Sequence, residues 1–335
     1  MMSELAGLGL MLLVILAAAE VFTNALEHLG QKLKISEGVT GSLFAAVGTA
    51  LPETLVPLLA IFGGTASGDV EVSEEIGVGA ILGAPLMLST LSTCLMALFA
   101  WQKRGAQGAL RPEKSGLIRD LNTFLAAFAL AALAMFVPHE LPFVRGGIGA
   151  ALVLLYFVYI LRTLRASAAL VNEGHATEAG EAMFLARVGL PTNWATILLQ
   201  LGVGLGLLVY GAHGFIVHVE ASSQILGISA LLLALMIVPI ATELPEKVNS
   251  ILWIRKRKDT LAFGNITGAM VFQGTLLPAI GIALTPWRPQ KEVFAGIVIT
   301  LIAAGWLRYL AGRIRVWHLL VNGLLYGTYL AIGLS

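Results

Sequence analysis

Apolar residues fall into runs of about 20 along the whole chain, separated by short polar stretches. A run of that length crosses the hydrocarbon core of a bilayer as a helix. The pattern predicts ten such spans, over residues 5–27, 37–63, 75–100, 117–137, 143–163, 192–217, 225–254, 259–284, 292–310 and 314–334. The longest polar stretch, 164–191, is rich in Gly, Ala and Glu and divides five spans (1–163) from five (192–335). It reads as a cytoplasmic linker, with an amphipathic helix expected near 181–188. The expected fold is an all-α integral membrane protein.

Charge sorts the loops into two sets. One holds Lys32, Lys34, Lys103, Arg104, Arg111, Lys114, Arg119, Arg162, Arg165, Arg187, the run Arg255-Lys256-Arg257-Lys258, and Arg308, Arg313 and Arg315. The other holds Arg145, Arg288 and Lys291. By the positive-inside rule the rich set is cytoplasmic, so both termini face outside. Five spans per half make the halves enter the membrane in opposite directions, as inverted five-helix repeats. A composition of 57% hydrophobic and 12% charged residues, with a mean hydropathy of +0.86, excludes an ordinary soluble domain. The first run lacks a basic start and reads as a span, not a cleaved signal. Cys94 is the only cysteine, so no intrachain disulfide forms. Trp101, Trp253, Trp287 and Trp317 fall near span ends, where an interfacial aromatic belt is expected.

One peptide occurs in both halves: Gly48-Thr49-Ala50-Leu51-Pro52-Glu53 and Ala241-Thr242-Glu243-Leu244-Pro245-Glu246. The offset is 193 residues for Thr49 to Thr242, Pro52 to Pro245 and Glu53 to Glu246, and upstream for Ile35-Ser36 to Ile228-Ser229. Proline removes a backbone hydrogen bond, so the helices are expected to open near Gly48-Thr49 and Ala241-Thr242. Opened backbone at membrane depth is tolerated where it lines a cavity. The exposed carbonyls, the Thr49 and Thr242 hydroxyls and the Glu53 and Glu246 carboxylates form an oxygen-rich set suited to hard cations. A carboxylate in hydrocarbon is a functional candidate by default.

A second matched pair follows: Gly79-Ala80-Ile81-Leu82-Gly83-Ala84 and Gly264-Asn265-Ile266-Thr267-Gly268-Ala269. These glycines are read as packing positions. Five residues on stand Leu88 and Gln273, and Gln273 is either a ligand or an interhelical hydrogen-bond partner. Glu243 and Lys247 are four apart, in the favourable order for an ion pair. With Glu53, Glu243 and Glu246 ionised and Lys247 protonated, these four groups sum to a charge of −2, enough for one divalent ion. Lys247 either takes a cation position itself, is paired inside, or reaches along its helix to the interface. Glu20 and His213 are also 193 apart, and are either members of a proton path or ordinary interhelical partners. The acidic stretch Asp69, Glu71, Glu74 and Glu75 reads as an external loop, and His218 and Glu220 as span-end residues.

These two repeats resemble those of the calcium/cation antiporter superfamily, which includes the sodium/calcium exchangers. The boxes G-T-S-L-P-E and G-N-x-x-G-S-N-x-x-N/D carry the resemblance, over about 35–90 and 228–275. It implies ten helices as inverted repeats, a site on the second, third, seventh and eighth spans, and alternating exchange of cations. Thr49, Glu53, Thr242 and Glu246 match the family's ion ligands, with Glu53 and Glu246 as carboxylate ligands. This chain departs from the pattern at Ala50, Ala84, Leu88, Glu243, Lys247, Ala269 and Gln273.

The expected function is antiport of calcium or a related divalent ion against protons or sodium, with no cofactor beyond the transported Ca2+, Na+ or H+. Its partners are then inorganic cations and the lipid bilayer, with no nucleic acid, and its expected place is a bacterial inner membrane. Sodium/proton exchange and a non-transporting sensor or scaffold are the alternatives. An intramembrane enzyme finds no support: His139-Glu140 lacks the second histidine of a zinc protease motif, and no Gly-x-Ser-x-Gly elbow occurs.

Overall fold

A computed structural model describes residues 2–32, 45–63, 69–171 and 182–334. Among them the chain is almost wholly helical. The first half comprises α1 (Met2–Lys32), α2 (Ala45–Gly63), α3 (Val70–Met87), a π-helical turn (Leu88–Ser92), α4 (Thr93–Arg104), α5 (Lys114–Ala134) and α6 (Pro142–Val171). A short α7 (Phe184–Arg187) lies between the halves. The second half comprises α8 (Trp194–Leu226), α9 (Ala230–Thr242), α10 (Leu244–Arg255), α11 (Asp259–Leu284), α12 (Lys291–Tyr309) and α13 (Val316–Gly333). Eight helical rods are long and apolar enough to cross a membrane, with α3, the π turn and α4 forming one of them. The other two predicted spans contain shorter apolar helices, Pro52–Phe62 within α2 and Ala230–Ile240 within α9. These are the two elements that carry the repeated peptide.

Local chemistry explains several departures from the predicted boundaries. α8 runs nine residues beyond the predicted end at 217, to Leu226, where Gly227 turns the backbone to φ 66°. Ser229 then caps α9 by accepting the Leu232 N–H at 3.1 Å. Glu220, expected at a span end, is therefore inside α8 and 3% exposed. His218 meets Glu4 at 2.8 Å. The acidic stretch 69–75 is the start of α3 rather than a loop. Asp69 caps the helix, accepting from Glu71 N at 2.9 Å, and Glu71, Glu74 and Glu75 stand in its first turns, where the helix dipole favours acids. Trp287, expected in the aromatic belt, is buried: its indole donates to the Ala131 carbonyl at 3.0 Å. Its ring packs over Gly281, where a Cβ would fall 2.3 Å from Trp287 Cζ3.

Packing follows the repeat. The rod of α3, the π turn and α4 lies against α13 as its counterpart α11 lies against α6, and α5 borders α6 as α12 borders α13. α3 sits very close to α9. A Cβ on Gly83 would fall 2.4 Å from the Leu235 carbonyl oxygen, and one on Gly79 would fall 2.7 Å from Ala234 Cβ. The packing role read for this pair is what the structure places there. Gly264 meets no described atom within 4 Å, and Gly268 meets only the Tyr159 hydroxyl at 3.9 Å.

Two apolar cores result. One joins α3 to α6 with α9 to α13. The smaller joins α1, α2 and α8 to the starts of α3 and α9. The basic loops that follow α4, α10 and α12 meet at one end of the bundle. There Arg104 forms a two-pronged pair with Asp259 at 2.7 and 2.9 Å, and Leu110 and Ile314 share a backbone bond of 2.9 Å. At the other end Arg145 donates to the carbonyls of Ile282 and Thr285 at 3.0 and 3.2 Å, closing the last turn of α11.

Candidate ion-binding site

The two proline-bearing helices behave differently. Pro245 stands near the start of α10 and has no N–H for the Ala241 carbonyl. α9 ends at Thr242, Glu243 adopts φ −93° and ψ 1°, and α10 starts at Leu244. That break is where the sequence predicts it. α2, by contrast, continues as a helix from Ala45 through Pro52 and Pro57 to Gly63. The expected opening near Gly48-Thr49 is absent, because a proline inside a buried helix can remove one hydrogen bond without ending the helix.

Three polar side chains meet between α2, the α9–α10 break and α11. Glu53 is 5% exposed, and Glu243 and Gln273 are completely buried. Gln273 Nε2 donates to Glu53 Oε2 at 3.2 Å and also to Glu243 Oε1. One amide group thus holds a carboxylate from each repeat. Because both its hydrogens point at carboxylates, the amide orientation is fixed by the network. Gln273 Oε1 is then turned to a buried position where it finds no hydrogen-bond donor among the described residues. A buried acceptor oxygen beside two carboxylates is a hard-oxygen arrangement that fits a cation.

Thr242 lies next to Glu243, is buried, and donates to the Val238 carbonyl at 3.3 Å. Its oxygen keeps lone pairs for another partner. Lys247 is 7% exposed, so it is interior and does not reach to the interface. Its Nζ donates to the Pro239 carbonyl at 2.8 Å and contacts Met87 Sδ at 2.8 Å. The side chains of Thr49 and Glu246 lie outside the described residues; their backbones belong to α2 and α10. Glu20 and His213 are not brought to this cluster. Both are exposed on the outer faces of α1 and α8. Among the described residues, no three His, Cys, Asp or Glu side chains gather as a metal centre.

Sequence reasoning passed over other buried polar groups. Asp120 on α5 accepts from Thr267 at 2.7 Å and from Tyr159 at 3.1 Å. A lone aspartate inside the predicted span 117–137 was the available signal. Met87 and Pro239 gave none, since an apolar methionine and a second proline in a long span both read as packing. Towards the opposite end from the basic loops, a cavity of about 410 Å³ opens beside α3, lined by Glu71, Glu74, Glu75, Trp287, Arg288 and Gln290 among others.

Comparison with known proteins adds to this geometry. The profile of the family described as sodium/calcium exchanger protein matches residues 3–165 and 196–334. The chain is 28% identical over 286 residues to a putative antiporter, CaxA, of Alkalimonas amylolytica, covering 83% of this chain and 79% of that protein. It is 24% identical over 281 residues to the inner membrane protein YrbG of Escherichia coli K12, covering 83% and 78%. Among solved structures, an H+/Ca2+ exchanger, CAX, superposes with a TM-score of 0.70 at 18% identity, covering 98% of this chain and 82% of that one. The sodium-calcium exchanger NCX_Mj superposes with a TM-score of 0.59 at 18% identity, covering 98% of each chain.

Proposed function

The chain belongs to the sodium/calcium exchanger protein family, and we propose that within it the protein is a secondary antiporter of a calcium-like divalent cation. The counter-ion is a proton or sodium, access alternates between the two sides, and the site lies between the repeats at the membrane midplane. The observation that carries this is the buried Glu53–Gln273–Glu243 bridge, which places one carboxylate from each repeat around a single amide. Two carboxylates and a neutral oxygen offer charge and hard donors to a cation, and the same carboxylates can take protons instead, so the two ions compete. The antiporter and exchanger names of the relatives support the same assignment.

Alternation needs a part that moves relative to the site. α1 lies along α8, and the pair borders the rest chiefly through α2 and α9, which supports motion of that pair across the site-bearing helices. We place the end carrying the basic loops in the cytoplasm and both termini outside, in an inner membrane, on the grouping of those loops. Sodium/proton exchange is the second reading, favoured by Leu88 standing where the family has a polar ligand.

The test is flux in liposomes. Calcium, manganese, magnesium and sodium movements are followed under imposed sodium or proton gradients, with Glu53→Gln as control. Divalent flux that one gradient drives and Glu53→Gln abolishes supports the proposal. Sodium flux against protons without divalent flux selects the second reading. Folded protein that moves none of these ions refutes both.

A further inference from the structure

Lys247 is the one feature of the site that divalent exchange leaves without a task. Its position is specific. The ammonium donates to Pro239 O, the same carbonyl that receives the backbone N–H of Glu243 at 3.2 Å. It also touches the sulfur of Met87, the residue before Leu88. Leu88 is the first-repeat counterpart of Gln273, and it is completely buried and apolar. The second repeat thus supplies a bridging amide at this level, while the first supplies a leucine, next in sequence to the Met87 whose sulfur meets the lysine ammonium. A carbonyl and a thioether are neutral acceptors, which suit an ammonium, and the thioether is a soft donor that binds a small hard cation poorly.

We propose that Lys247 is a built-in cation: its ammonium permanently occupies the half of the site where the first repeat has no oxygen ligand, so that the protein binds one exchanged cation fewer. This rests on the antiporter reading of the same site. The missing ligand and the added lysine then have one cause. A place already filled by a positive charge needs no side-chain oxygen to attract another, and the repulsion excludes a second ion from it. With Glu53, Glu243 and Glu246 ionised, the +1 of Lys247 lowers the summed charge from −3 to −2.

Binding can be read without transport, from the melting temperature of the purified full-length protein in detergent as sodium replaces choline at constant ionic strength. In Lys247→Met and Lys247→Gln the half-saturating sodium concentration should fall by about tenfold or more, because a like charge has been removed from the site. Lys247→Arg should match wild type. The gain should vanish when Glu53→Gln is added to Lys247→Met. Unchanged sodium dependence in both neutral variants overturns the proposal. If neither neutral variant folds, Leu88→Asn in the otherwise natural chain decides. With the ammonium in place, the new oxygen leaves sodium binding unchanged, whereas a tenfold gain means the position was open and overturns the proposal. In liposomes, Lys247→Met should carry one more positive charge per cycle than wild type. Absence of flux in wild type would sink the antiporter reading alone, and the melting shifts would still decide the role of the lysine.

Discussion

The two halves of the molecule contain the same short peptide and build different structures from it. In the first, α2 passes straight through Pro52 and presents Glu53. In the second, the helix breaks at Glu243, which is completely buried, and the turn after the break sends Lys247 inward. α11 adds Gln273 from the second half, while its counterpart rod in the first half offers Leu88. A duplicated motif therefore specifies where a site lies, whereas the charge at that site depends on single residues that the duplication does not conserve. Most of the polar equipment described here comes from the second repeat, and Glu53 is the first repeat's carboxylate in it.

The sharpest way to break that comparison is to remove the acids one at a time. Glu53→Gln should lower exchange in liposomes by about 100-fold or more, since removing one member of a buried charged set costs about 3 kcal/mol or more. Glu243→Gln should fall by a similar factor. If Glu53→Gln exchanged normally while Glu243→Gln did not, the site would belong to the second repeat alone.

Making the halves alike at the next level should have a smaller effect, on stability. Gln273→Leu copies Leu88 into the second repeat and leaves Glu53 and Glu243 without their shared donor. Each hydrogen bond to a charged group contributes about 1.5–3 kcal/mol, so a fall in melting temperature of roughly 5–10 °C is expected. Gly83→Ala tests the helix contact that supports the break, because its Cβ would fall 2.4 Å from the Leu235 carbonyl and 2.7 Å from Pro239 Cγ. Overpacking of that kind costs about 1–3 kcal/mol. Gly202→Ala, with nothing within 4 Å of its Cβ, should leave melting unchanged or raise it slightly.

Much of this was legible in the sequence because membrane helices announce themselves by length and polarity. The repeat offset pointed to Glu53, which the structure buries beside Gln273, and the break at Glu243 followed from Pro245. What stayed hidden depends on rotation about a helix axis or on contacts far apart in sequence. No periodicity tells that Gln273 donates to two carboxylates 30 and 220 positions away. Pro52 and Pro245 look identical in sequence, yet only one ends a helix, since the outcome depends on what packs around the lost hydrogen bond. Trp287 looked like a belt residue because its place near a span end was visible and the space over Gly281 was not.

The smallest effect is expected at Glu20 and His213. They share the 193-residue offset with the site residues, so a strictly symmetric protein would use both in one proton path. The structure puts them on the exposed outer faces of α1 and α8, away from the Glu53–Gln273–Glu243 bridge. An outward ionisable group on a membrane helix affects insertion and lipid contact more than chemistry at the bundle's centre. Glu20→Gln and His213→Gln should therefore leave exchange within about twofold of wild type, as surface changes away from special features usually do. The pH profile of exchange should keep its midpoint in both. A midpoint that moved in both variants would mean that protons travel along the outer faces of α1 and α8. The two repeats would then contribute equally to coupling, although they contribute unequally to the site.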